Sequence, residues 1–132
     1  MSKNIEQLIT GLQHIGIPTN DLDATISFYE QFGFKNVYQT VNTEAGERVA
    51  FLQLGNLMIE TYETKQAVLR EGAWDHIALD VTDIEGIFKL VKDKQLPMVD
   101  EGVRSLPFWE HGVKFFTILG PNNEKVEFCQ KL

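Results

Sequence analysis

Apolar and polar residues alternate from Leu12 to Pro18, the period of a β-strand, and Pro18 is placed to stop it. After Asp21 the period changes. Leu22, Ile26, Tyr29 and Phe32 fall on one face of a helix that ends at Gly33. Asp21 is placed to cap that helix, and Asp23 puts a carboxylate in its first turn. Residues 34–41 are rich in β-branched and aromatic side chains and predict a strand. Gly46 marks a turn, 47–54 a strand, Gly55-Asn56 a tight turn and 57–62 another strand. The same order then recurs: strand 74–81, helix 83–95, strand 97–103, strand 112–119, a turn at Gly120-Pro121-Asn122-Asn123, strand 124–130.

The recurrence extends to residue identity. His14-Ile15-Gly16-Ile17 matches His76-Ile77-Ala78-Leu79, and Asp21, Leu22 and Asp23 match Asp83, Ile84 and Glu85 at the same offset. Gly55 to Glu60 matches Asn122 to Glu127 at a slightly larger offset, so the second copy carries extra residues in between. Two βαβββ modules follow, 11–63 and 73–130, with a polar linker at 64–72. Neither buries much apolar surface alone, so the two are expected to share a sheet or pack together.

Side chains alternate between the faces of a strand. Ile15 and Ile17, Ile77 and Leu79, Leu57 and Ile59, and Val126 and Phe128 make one aliphatic face in each of four strands, the face that meets the helices. The opposite face carries one strong polar group per strand: His14, Glu60, His76 and Glu127. A sheet curling around them would gather two imidazoles and two carboxylates, a donor set suited to a divalent transition metal, with the carboxylates balancing its charge. Without a metal or a retained proton, two such carboxylates repel. The competing reading places Glu60 and Glu127 on solvent-facing sides of one-sided strands. Met58 and Tyr62 share the face of Glu60 and are candidates for the cavity floor or for ordinary packing. Phe108 and Trp109 are candidates for a substrate wall, a dimer contact or a loop anchor.

Composition narrows the classes. The chain has 132 residues, is 43% hydrophobic and carries a formal net charge of −7. That is enough apolar material for a core, and the acidic balance argues against nucleic-acid binding. No apolar run reaches the roughly 18 residues of a membrane span. The first residues are polar where a signal peptide needs an apolar stretch. A cytoplasmic location is therefore expected. The one cysteine, Cys129, permits no internal disulfide and reads as small apolar packing. Asp21 and Asp83 read as caps, and His111, beside Gly112, as a loop residue. There is no P-loop, HExxH or GxSxG motif, and Ser27 falls mid-helix.

At these residues the chain resembles the vicinal oxygen chelate superfamily, which includes glyoxalase I, methylmalonyl-CoA epimerase, extradiol dioxygenases, and fosfomycin- and bleomycin-resistance proteins. His14 with Asp21, Phe28-Tyr29 and Phe32-Gly33-Phe34 resembles its first-module signature, and Gly120 to Asn123 with Val126-Glu127-Phe128 its closing hairpin. The resemblance covers about residues 11–130. It implies an α+β fold in which paired βαβββ modules form a cupped, partly closed mixed sheet with helices outside. The His, Glu, His, Glu pattern is most like bacterial-type glyoxalase I. It assigns metal ligation to His14, Glu60, His76 and Glu127, with Ni, Zn, Co, Mn or Fe as the ion. It implies a lyase or isomerase acting on an α-hydroxycarbonyl or a thiol hemithioacetal through an enediolate, with Glu60 or Glu127 carrying the proton. A homodimer is also implied. Sequestration of a small molecule, as in drug-resistance relatives, and epimerisation are the alternatives. The three arginines, Arg48, Arg70 and Arg104, do not match the residues that hold glutathione carboxylates, and Phe108-Trp109 points to a less polar substrate.

Overall fold

A computed structural model describes residues 4–132. The chain forms two compact units, residues 1–67 and 68–132, whose boundary falls inside the segment 64–72 read as a linker. Each unit holds a four-stranded mixed sheet with a helix against one face, so the architecture is α+β with the predicted module order. The strands divide into two sheets, one in each unit, and neither closes into a barrel.

In the first unit β1 (Ile15–Thr19), α2 (Leu22–Glu30), β2 (Lys35–Asn42), β3 (Glu47–Leu54) and β4 (Leu57–Glu63) assemble in the sheet order β1-β4-β3-β2. A short helix, α1 (Ile5–Leu8), precedes them. The second unit repeats the plan with β5 (His76–Asp80), α3 (Ile84–Asp93), β6 (Arg104–Leu106), β7 (Val113–Leu119) and β8 (Lys125–Lys131), in the order β5-β8-β7-β6. In each unit the first strand runs parallel to the last, and the remaining neighbours are antiparallel.

The helices start where their caps dictate. Asp21 Oδ1 accepts from the backbone N–H of Ala24 at 3.0 Å, and Asp83 Oδ1 from that of Gly86 at 3.0 Å. A second acceptor reaches each helix from the last strand of its sheet. Glu63 Oε2 accepts from Leu22 N and Gln130 Oε1 from Ile84 N, both at 2.9 Å. These bonds satisfy orphan donors of the first turn and pin the helix to the sheet. The Glu63 carboxylate also complements the positive end of the helix dipole. Arg48 closes this corner, with Nη2 3.0 Å from Glu63 and 3.3 Å from Asp23.

The aliphatic face meets the helix in both units. Leu22, Tyr29, Leu52 and Ile59 are fully buried in the first, and Phe116, Ile118, Val126 and Phe128 in the second. Tyr29 packs edge-on to Phe28 and Phe34, while Phe116 sits between Phe88 and Phe128. At about 25 cal/mol per Å² of apolar area, burial of this kind is the main stabilising term. The hydroxyl of Thr61, on this buried face of β4, has no hydrogen-bond partner.

Three elements differ from the sequence reading. Pro18 does not stop β1, which continues to Thr19; β1 is an edge strand, where a missing N–H is tolerated. The strand expected at 97–103 reduces to a bridge between Met98 and Ile118, and the ladder resumes at β6. There Asp100 Oδ2 accepts from Thr117 N at 2.9 Å, so a side chain takes the place of a backbone acceptor. Helix α1 was not anticipated; Asn4 and Gln7 form its capping box.

Candidate metal centre

Register brings the polar groups into pairs. Gly16 lies opposite Glu60 across β1 and β4, and Ala78 lies opposite Glu127 across β5 and β8. His14 and His76 each stand two residues before those positions, on the same face as the glutamate. His14 Nε2 is 3.8 Å from Glu60 Oε1, and His76 Nε2 is 3.5 Å from Glu127 Oε1. Both separations are long for a direct hydrogen bond. Two donors each about 2.1 Å from one ion stand about 3.0–3.6 Å apart at angles near 90–120°. The His76–Glu127 pair has that spacing, and the His14–Glu60 pair stands slightly wider. The donor chemistry, one imidazole and one carboxylate per pair, suits a divalent transition metal. Among the described residues, no group of three or more His, Cys, Asp or Glu side chains is gathered to hold a metal. Each unit holds one His–Glu pair.

His14, Glu60 and Glu127 are half-buried, with Glu127 the most enclosed at 19% side-chain exposure, while His76 is exposed at 43%. Each imidazole also has an Nδ1 partner from the preceding residue. Gln13 Oε1 is 2.9 Å from His14 Nδ1, and Asp75 Oδ2 is 2.8 Å from His76 Nδ1. Lys125 Nζ donates to Asp75 Oδ1 at 3.3 Å. The hydrogen bonds from His76 and then Lys125 hold the Asp75 carboxyl below its ordinary range. Sequence reasoning did not single out Gln13 or Asp75. The only signal was their position immediately before each histidine.

The surroundings of the pairs differ. Glu60 shares its row with Phe51 and Tyr38; the Phe51 ring stands edge-on to His14 at 5.8 Å and 6.0 Å from that of Tyr38. Tyr62 lies over Gly16, and a Cβ there would meet its ring at 3.5 Å. Met58 faces Gln53 on the same side of the sheet. Glu127 stands opposite Thr117, and Cys129 opposite Phe115. Burial first, then the Glu127 charge, pushes the Cys129 thiol up, so it stays protonated as a packing group.

Phe108 and Trp109 lie in the loop between β6 and β7, both exposed. Lys131 Nζ sits 4.1 Å over the Trp109 ring, a cation–π contact that anchors the loop. Neither aromatic lines the open cavity of about 330 Å³ beside them, which is formed by residues including Leu106, Pro107, His111, Val113 and Leu132. Arg48 is committed to Asp23 and Glu63, and Arg104 to Asp100 and the face of Phe115.

The duplicated module order is shared with known proteins. Residues 11–128 match the Glyoxalase/Bleomycin resistance protein/Dioxygenase superfamily, and the chain belongs to it. It is 30% identical over 127 residues to the uncharacterised Bacillus subtilis protein YwbC, covering 91% of this chain and 97% of that protein. The fold is similar to that of a glyoxalase family protein from Enterococcus faecalis, with a TM-score of 0.78, 22% identity and coverage of 92% and 98% of the two chains. It is also similar to FosX, a fosfomycin resistance protein from Listeria monocytogenes, solved with Mn(II) and sulfate, with a TM-score of 0.73, 20% identity and 94% coverage of each chain. Among the described residues, no helix is long and apolar enough to cross a membrane.

Proposed function

We propose that this chain is a metal-dependent lyase or isomerase of the glyoxalase type, acting on a small α-hydroxycarbonyl or a thiol hemithioacetal. The observation that carries this reading is the repeated His–Glu pair, built by the same register in both units. In this reading His14, Glu60, His76 and Glu127 join as one ligand set, within one chain or between the two chains of a homodimer. FosX is a relative of this fold solved with Mn(II), which supports a divalent ion of this kind.

When bound, such a metal acts as a Lewis acid that stabilises negative charge developing on substrate oxygens. The chain's own residues do the rest. The imidazoles and carboxylates would hold the ion, and the two carboxylates would balance its charge. A glutamate, Glu60 or Glu127, takes a proton from one carbon and returns it to the next. Phe51, Tyr38 and Tyr62 offer apolar walls beside Glu60, with Met58 below and Phe108 and Trp109 as further candidates for substrate contact. The commitment of Arg48 and Arg104 within the fold favours a substrate less anionic than glutathione.

The test is isomerisation. The metal-loaded chain, incubated with hemithioacetals of an α-ketoaldehyde and a series of thiols, should convert one of them to the α-hydroxythioester. Glu60→Gln and Glu127→Gln should each reduce turnover by about 10²-fold or more. No turnover of any thiol adduct contradicts the reading. The aromatic row at Phe51 and Tyr38 favours a second reading, sequestration of an apolar molecule. Ligand binding that survives Glu60→Gln and His76→Ala unchanged would select it.

A further inference from the structure

The two imidazoles are backed by different chemistry. A carboxylate has no hydrogen to give, so the 2.8 Å contact with Asp75 requires His76 Nδ1 to carry the proton. In the neutral ring Nε2 then keeps its lone pair, and it faces Glu127 at 3.5 Å. The Gln13 amide behind His14 can present either its oxygen or, turned over, its NH2 group. It sets no tautomer by itself. Asp75 is in turn held by Lys125, the residue opposite His76 in the ladder of β5 and β8. A chain of three side chains thus ends on the imidazole of one pair and has no counterpart, among the described residues, in the other.

We propose that Asp75 is a positioning residue that locks His76 as the Nδ1–H tautomer with Nε2 offered as donor, which makes the His76–Glu127 pair the stronger half of the metal centre. This inference rests on the metal reading above and assigns the order of strength within it. Partners behind a metal-bound histidine typically matter by about 10–100-fold in affinity.

Nitrogen-15 NMR of the metal-free chain at about pH 8.5, above the ordinary imidazole range, reads the tautomer directly. His76 should carry its proton on Nδ1, and Asp75→Ala should abolish that signature. Titration with Mn(II) alone gives the second readout. Asp75→Ala should weaken binding by about 10–100-fold, and Gln13→Ala by clearly less. Glu71→Gln removes another carboxylate near Lys125 without touching His76 and should leave binding unchanged. Several results overturn the inference while the metal reading stands: His76 protonated on Nε2 in the wild-type chain, Asp75→Ala binding as tightly as wild type, or Glu71→Gln weakening binding as much as Asp75→Ala. No Mn(II) binding by the wild-type chain overturns both.

Discussion

His76 Nε2 stands 3.5 Å from Glu127 Oε1 because a parallel ladder sets Ala78, two residues beyond the histidine, directly opposite the glutamate. The same relation between Gly16 and Glu60 places His14 3.8 Å from its own carboxylate. A register slip of one residue in either ladder would turn the whole strand over and part the pair. Both pairs therefore depend on the buried neighbours that fix register, Ile59 and Thr61 in β4 and Val126 and Phe128 in β8.

Loss of a pair member should affect metal binding and leave the fold intact. The four side chains lie on the accessible face, away from the helices, so His76→Ala and Glu127→Gln should change stability by under about 1 kcal/mol. Each should weaken divalent-metal affinity by more than the roughly 10–100-fold that an outer partner costs. Thermal melts beside metal titrations check this.

The capping aspartates supply the opposite pattern. Asp21→Ala and Asp83→Ala each remove an acceptor from a helix N-terminus and should cost about 1 kcal/mol. Metal affinity should not change. Denaturant unfolding gives the first quantity and metal titration the second.

Thr61 allows a gain. Its hydroxyl is buried without a partner in β4, so Thr61→Val keeps the shape and removes a desolvated polar atom. The variant should be more stable by about 1 kcal/mol, seen as a higher midpoint in urea.

The Arg48 corner predicts acid sensitivity. Hydrogen bonds from Arg48 and then from the Leu22 N–H hold the Glu63 carboxyl below its ordinary value of 4.5. A group depressed in the folded state stabilises above its unfolded pKa, and that stability is lost as pH falls through the folded value. Stability should drop as pH is lowered from about 4.5, and Glu63→Gln should flatten that drop. Melting curves between about pH 3 and 6 report it.

Much of this molecule is legible in its residues. The repeat of His14-Ile15 and His76-Ile77, the caps at Asp21 and Asp83 and the hairpin at Gly55-Asn56 place most elements, because each is a local signal with a local cause. What escaped reading is non-local. Pro18 stays in its strand only because β1 lies at a sheet edge, and no residue near it announces that. The strand expected at 97–103 dissolves because the Asp100 side chain reaches Thr117. Glu63 and Gln130 reach the two helix starts through partners over forty residues away. In the candidate site, alternation names the four polar groups, but their pairing needs the parallel register. Asp75 is invisible until His76 has a direction.

The central claim is that two His–Glu pairs join around one ion, and the stoichiometry of metal binding tests it most directly. Metal-free chain titrated with Zn(II) or Mn(II) should take up one ion per chain at micromolar concentration, and Glu60→Gln and His76→Ala should each abolish that single event. Two ions per chain, with each variant losing only one of them, or no uptake at all, would contradict it.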